Sequence, residues 1–171
     1  MLLCHGFFLI VFYVYLPVAM LLAVDLGLKA GFAVYNTKGQ LQSYRSKNFG
    51  APSRLKRGAY RTLQEHPELT WVVLEGDRAM AEAWQSHADR NGLSTGWIQA
   101  STWRKKLLNP SERRTGSDAK AASDTLARKV IEWSGAPRPT SLRHDAAEAI
   151  CIGLWSVLNL GWLERRPQEL R

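Results

Sequence analysis

Two short apolar runs constrain the fold of this chain most strongly, because each of them ends on a carboxylate. The runs are LLAVDLG, which leads into Asp25, and LTWVVLEGD, which leads into Glu75. Each has the length of a strand and is apolar without alternation, as is typical of strands buried on both faces of a sheet. An isolated buried charge is very costly, so each carboxylate must be solvated, paired or in contact with a cation.

The remaining segments predict a mixed α/β domain with a sheet covered by helices. GFAVYNTKGQLQSYRS predicts two strands joined by a turn at Asn36–Gly39. STGWIQAS predicts a fifth strand, Thr102 is the expected cap of a brief helix, and residues 109–117 are expected to form a polar loop. Four further helices are predicted at Pro52 to about Glu65, 78–90, Asp118 to Trp133 and His144 to Leu160.

The order of these elements predicts where the two strand-end carboxylates lie. Helical crossovers make the first, fourth and fifth strands parallel neighbours. The strand ends at Asp25 and Glu75 then lie side by side at one edge of the sheet. Open α/β sheets place their sites outside the carboxyl ends of the strands, so this edge is the expected functional site.

The last predicted helix adds two more carboxylates. RHDAAEAICIGLW places Asp145 and Glu148 three residues apart on one helical face, among alanines that allow close approach to a sheet. Four crowded carboxylates repel one another, and a pair of Mg²⁺ or Mn²⁺ ions would resolve the conflict. Two such ions about 4 Å apart can activate a water and stabilise the leaving oxygen of a phosphodiester. Taken singly, each acid is also an ordinary strand-end or first-turn residue.

The charge of the chain predicts a polyanionic partner. The formal net charge is +8 and the pI is near 9.8, which favours nucleic acid or an anionic membrane. Trp103, beside the main basic run, either stacks on an unpaired base or packs in the core. A second basic stretch over residues 54–61 is either plain surface or a DNA contact. The main run surrounds a polar loop and comprises Arg104, Lys105, Lys106, Arg113, Arg114 and Lys120.

The N-terminal segment has several interpretations. Residues 7–24 carry no charge and are just long enough for a membrane span, but no Lys or Arg precedes them and Pro17 interrupts them. We interpret residues 1–19 as a mis-assigned start or a dispensable leader, with a membrane anchor, a targeting segment or an extra element of the fold as alternatives. The domain itself is assigned to residues 20–163 and a polar tail to 164–171. The two cysteines suggest neither a disulfide framework nor a zinc site, which favours a reducing compartment.

Four segments together resemble the RuvC branch of the RNase H-like nucleases, which contains the bacterial and chloroplast Holliday-junction resolvases. They are AVDLGLKAGFAVY, VVLEGD, KAASDTLARK and HDAAEAICIGLW. Asp25 matches the first metal ligand of the family, Glu75 the second and Asp145 the first acid of the last pair. Glu148 stands where the family has Asp, and Lys120 resembles its Lys-x-x-Ser position.

The resemblance implies an RNase H-like mixed sheet flanked by helices and a metal-dependent endonuclease with two Mg²⁺ or Mn²⁺ ions. The implied substrate is branched DNA, above all four-way junctions in recombination and repair. The two-fold symmetry of such a junction implies a homodimer. The implied location is the cytoplasm, in association with DNA; membrane or organelle targeting depends on residues 1–19. The alternatives are an RNase H-like nuclease acting on RNA such as ribosomal RNA precursors, a catalytically inactive nucleic-acid-binding module, and a membrane protein with a basic cytosolic domain.

Overall fold

A five-stranded mixed sheet forms the centre of the molecule in a computed structural model of the chain, which describes residues 19–171. The expected leader, apart from its last residue, lies outside the described residues. The strands are β1 (Met20–Leu26), β2 (Lys29–Asn36), β3 (Leu41–Asn48), β4 (Leu69–Gly76) and β5 (Ser94–Ile98). The helices are α1 (Pro52–Gln64), α2 (Arg78–Arg90), α3 (Ala100–Leu107), α4 (Gly116–Ser134) and α5 (His144–Asn159).

The strand order is β3-β2-β1-β4-β5. β1 pairs parallel to β4, and β4 parallel to β5, so the predicted parallel neighbours are confirmed. β1, β2 and β3 form antiparallel pairs, which makes β3 run in the same direction as β1. The carboxyl ends of β1, β3, β4 and β5 therefore lie at the same edge, called here the carboxyl edge of the sheet.

The predicted hairpin turn is confirmed between β2 and β3. The side-chain oxygen of Asn36 accepts hydrogen bonds from the backbone N–H groups of Lys38 and Gln40, both at 3.0 Å. Gly39 adopts a φ of 73°, in the left-handed region that glycine enters without steric cost. The side chain of Asn36 and the glycine together fix the register of the two strands.

Three details differ from the predictions. The helix that Thr102 was expected to cap begins earlier, with Gln99 in the capping position, so Thr102 lies inside its first turn. The stretch expected to be a polar loop contains a 3₁₀ turn, Pro110–Arg113, with a capping box between Asn109 and Glu112. The helix after it also begins two residues early, since the Thr115 side chain accepts from the backbone N–H of Asp118.

The alternation of side chains along β1 divides the core into two layers. Leu21 and Ala23 face the layer that contains α4 and α5, whereas Leu22 and Val24 face the layer that contains α1 and α2. α5 packs closely against the sheet, and the hydroxyl of Tyr35 in β2 donates a buried hydrogen bond of 2.7 Å to the carbonyl of Ile150. This packing holds α5 in a fixed position over the strand ends.

The C-terminal segment packs onto the domain. Leu170 is fully buried, and Arg166 donates a hydrogen bond of 2.7 Å to the carbonyl of Leu107 at the end of α3. Within residues 19–171, we find no helix with the length and apolar character needed to cross a membrane.

Candidate active site

One row of residues crosses the sheet at its carboxyl edge. The register pairs Asp25 with Glu75 on one side and with Gly31 on the other, and it pairs Gly31 with Ser46. Adjacent residues in such a row point to the same face of the sheet. Asp25 follows Ala23 by two residues, so the row faces α5. The predicted neighbourhood of Asp25 and Glu75 is therefore confirmed.

The first turn of α5 lies directly on this row, because Gly31 has no side chain. An added Cβ at Gly31 would fall 2.8 Å from the backbone nitrogen of Ala146 and closer still to the carbonyl of Asp145. Ala146 and Ala147 are themselves buried against the sheet. Small residues on both sides thus bring the carboxylate-bearing turn of α5 against the strand ends.

The four carboxylates act on one another at this place. Burial and the negative charges of Glu148, Glu75 and Asp145 together raise the pKa of Asp25 to about 8. The carboxyl group of Asp25 also interacts with that of Glu75 through a hydrogen bond, which raises the pKa of Asp25 and lowers that of Glu75. The surroundings therefore favour the protonated form at Asp25 more than at Glu75.

Glu75 is the most buried carboxylate of the two strands, with 9% of its surface exposed. Burial raises its pKa, and the charge of Glu148 adds to the effect. The guanidinium of Arg104 and the backbone of Ala100 act in the opposite direction. Because Ala100 begins α3, the N-terminus of that helix stabilises the ionised form of Glu75.

The other two acids, Asp145 and Glu148, each have a side-chain partner. The hydroxyl of Ser46 donates a hydrogen bond to Asp145, and Arg104 forms an ion pair with Glu148. The guanidinium of Arg104 also lies over the ring of Trp103, 5.2 Å from its centroid. Arg104 was predicted to bind nucleic acid, but in this structure its charge is directed at the carboxylates.

The donor set suits a hard divalent cation in its chemistry. It offers carboxylate oxygens, which Mg²⁺ and Mn²⁺ prefer, and among residues 19–171 the ion pair with these acids comes from Arg104. In the part of the chain that the structure describes, no group of three or more His, Cys, Asp or Glu side chains is arranged so that it could hold a metal ion. A metal ion would compete with the proton of Asp25 and with Arg104 for Glu148.

The other predicted basic residues lie on the surface. Lys105, Lys106, Arg113, Arg114 and Lys120 are exposed, and none of them forms an ion pair within residues 19–171. Their positions leave them free to meet a phosphate backbone, and their role stays a prediction.

The stacking role of Trp103 is wrong in this structure. The side chain is fully buried in the core on the α5 side of the sheet, so its ring cannot meet a base. The alternative, packing in the core, is correct. The sequence signal was present, since Trp103 and Leu107 are one helical turn apart and both are buried in α3.

Comparison with known proteins gives the fold. No protein-family model matches the sequence, and no curated protein matches it. The structure of T. thermophilus RuvC in complex with a Holliday junction substrate is similar, with a TM-score of 0.56 and 14% identity, over 84% of this chain and 96% of that one. The yeast mitochondrial Holliday junction resolvase Ydc2 is similar with a TM-score of 0.60 and 11% identity, over 86% of this chain and 83% of that one. The predicted resemblance to this group of RNase H-like structures is confirmed for the fold.

Proposed function

We propose that this protein is a metal-dependent endonuclease that hydrolyses phosphodiester bonds in branched DNA, most specifically in four-way junctions. One observation supports this most directly: Asp25 and Glu75 pair side by side at the carboxyl edge, and α5 brings Asp145 and Glu148 to the same place. The two similar resolvase structures share the sheet on which this arrangement is built. The net charge of +8 fits a polyanionic substrate.

In this proposal Asp25, Glu75 and Asp145, together with Glu148, hold two Mg²⁺ or Mn²⁺ ions. Bound ions of this kind supply an activated water and stabilise the leaving oxygen of a phosphodiester. Ser46 orients Asp145 through its hydrogen bond. Glu148 stands where the resembling family has Asp, so its carboxylate reaches one methylene farther from α5 than an Asp at that position would.

The exposed basic residues hold the DNA in this proposal. Lys120 contacts the scissile phosphate, and Lys105, Lys106, Arg113 and Arg114 hold the backbone beside it. A four-way junction presents two symmetric cleavage points, so the acting form is a homodimer with two aligned sites. A DNA substrate places the protein in a compartment that contains DNA, the cytoplasm or an organelle.

A substrate panel tests the proposal. We expect Mg²⁺-dependent nicking of a four-way junction at paired positions, at a rate at least about tenfold above that for linear duplex, single-stranded DNA or structured RNA. Preferential cleavage of RNA would favour the RNase H-like alternative. Junction binding without cleavage in Mg²⁺ or in Mn²⁺ would favour an inactive binding module. Analytical ultracentrifugation of the same sample tests the dimer.

The ion pair between Arg104 and Glu148 gives a second prediction. Their side chains are 25% and 11% exposed, so Arg104→Met leaves a mostly buried carboxylate without its counter-charge. We expect the metal-free protein to lose about 1–2 kcal/mol of unfolding free energy. Because Glu148 is then free, we expect Mg²⁺ to raise the melting temperature of the variant more than that of the wild type.

Lys105→Met is the matched control for this experiment. It removes the same charge from the neighbouring position of α3, but Lys105 is exposed and unpaired within the described residues. Calorimetric unfolding with chelator and with Mg²⁺ compares the three proteins. Equal Mg²⁺ responses of the two variants would show that Arg104 does not compete with a cation for Glu148.

A further inference from the structure

A second group of basic residues lies on the opposite face of the sheet from the carboxylates. It comprises Lys47 near the end of β3 and Arg54, Arg57 and Arg61 on α1, and is called here the α1 basic strip. These four side chains line a concave surface that encloses a volume of about 250 Å³, together with Asn48, Phe49 and Gly58. No acidic side chain lines this surface.

The strip is a straight row along one helix face. Arg54, Arg57 and Arg61 follow at intervals of three and four residues, which places them on the same side of α1. The seven steps from Arg54 to Arg61 span about 10 Å at 1.5 Å per residue. Such a row matches about three successive phosphates of one DNA strand, measured along the duplex axis.

The floor of the strip is closely packed. The ring of Phe49 is buried, and a Cβ added at Gly58 would fall 2.7 Å or less from it, so helix and ring are in close contact. The ammonium group of Lys47 lies over this ring, 5.2 Å from its centroid. Since the ring is covered, the strip offers charge to a backbone and no aromatic face within it to a base.

The charges of the strip have no carboxylate partner in the described part of the chain. None of the four forms an ion pair there, whereas Arg45, Arg128 and Arg138 each do. Like charges in one concave surface repel one another. A polyanion would relieve that repulsion and release its counterions on binding.

The strip begins beside the candidate active site. Lys47 follows Ser46, whose hydroxyl binds Asp145, and α1 starts a few residues after the end of β3 at the carboxyl edge. Lys47 pairs in register with Ala30, which faces α1 and α2, so the strip continues on the far face of the sheet. A duplex that passes the carboxyl edge can therefore contact the carboxylates and the strip in succession.

We infer that the α1 basic strip binds the phosphate backbone of a double-stranded DNA arm that extends from the candidate active site around the carboxyl edge of the sheet. This inference rests on the proposed function, which it extends from the cleavage point to an arm of the substrate. It distinguishes two basic surfaces: the exposed basic residues between Lys105 and Lys120 hold the cleaved strand, and the strip holds the arm.

The test compares two double variants with the same change in charge. Arg54→Gln with Arg57→Gln removes two charges from the strip. Lys38→Gln with Arg90→Gln removes two exposed charges at the β2–β3 turn and the end of α2, both at the opposite edge of the sheet. Each pair is made in the Asp25→Asn background, and junction affinity is measured by fluorescence anisotropy. One junction has long arms and the other has arms of about half a helical turn.

We expect the strip variant to bind the long-armed junction roughly tenfold or more weakly, and the control pair to bind within about twofold of the parent. The slope of log affinity against log salt should fall by about two for the strip variant. The loss should be much smaller with the short-armed junction, because that arm does not reach the strip. Equal affinities of the two pairs, or equal losses with both junctions, would overturn the inference.

The same proteins with Asp25 restored separate this inference from the proposed function. If the wild type cleaves junctions and the strip variant binds them as well as the control pair does, only the inference fails. If the wild type neither binds nor cleaves junctions in Mg²⁺, the proposed function fails as well.

Discussion

Asp25→Asn abolishes junction cleavage while junction binding persists, if the four carboxylates form the site we propose. Asp25 lies at the centre of the carboxylates and is the acid on which the other three act. Asparagine keeps the size of the side chain but loses its negative charge and half of its ligand capacity. We expect the rate of Mg²⁺-dependent cleavage to fall by about a thousandfold or more, and junction affinity to change by less than about threefold. Single-turnover cleavage and anisotropy measure the two quantities.

The same substitution should stabilise the protein when no divalent metal is present. The folded-state pKa of Asp25, about 8, is above its ordinary value of 3.8, so the folded state binds this proton more tightly than the unfolded state. Stability therefore falls as the pH rises from about 4 to about 8. We expect Asp25→Asn to remove much of this decline and to gain on the order of a few kcal/mol of unfolding free energy at pH 8. Urea unfolding in chelator at pH 5 and pH 8 measures it.

Asp89→Asn is the control for both measurements. Asp89 is an exposed acid near the end of α2, so the substitution makes the same chemical change away from the carboxylates. We expect wild-type cleavage and a wild-type pH profile for this variant. Cleavage that survives in Asp25→Asn would contradict the proposed nuclease. If the unfolding free energy of Asp25→Asn depended on pH as that of the wild type does, only the crowding of the carboxylates would be contradicted.

The neighbourhood of Asp25 and Glu75 could be predicted because it follows from strand direction alone. Both acids end apolar runs, and two parallel neighbours joined by a crossover bring their carboxyl ends to one edge. Asp145 and Glu148 could be placed on one face from their spacing. These inferences use the repeat of the strand and of the helix, and each repeat is set by backbone geometry rather than by distant contacts.

Arg104 and Ser46 could not be assigned from the sequence. Arg104 stands in a run of three basic residues, and only the phase of α3 separates it from its exposed neighbours. Trp103 and Leu107 point into the core, and this orientation of α3 directs Arg104 toward Glu148 of α5. Ser46 lies in a strand that is mostly polar after Leu41, and its role depends on the register with Gly31. Such roles arise from long-range packing, which local patterns do not specify.

Gly31→Ala is expected to impair both folding and cleavage, although the residue carries no chemistry. The new Cβ would lie inside contact distance of the Asp145–Ala146 backbone, so α5 must move away from the sheet. Over-packing of this kind costs about 1–3 kcal/mol of unfolding free energy. A displacement of about 1 Å at Asp145 also weakens the hydrogen bond from Ser46 and is expected to slow cleavage by about a hundredfold. Urea unfolding and single-turnover cleavage measure the two effects.

Gly96→Ala separates the effect of close packing from the loss of a strand glycine. In β5 an added Cβ would meet a side-chain carbon of Val73 at 3.8 Å and nothing nearer, so alanine fits without displacement. We expect this variant to keep the stability and cleavage rate of the wild type. If Gly31→Ala were equally neutral in both assays, α5 could not rest on β2 as the structure has it. The position of Asp145 and Glu148 depends on that contact, so the convergence of four carboxylates would then lose its structural basis.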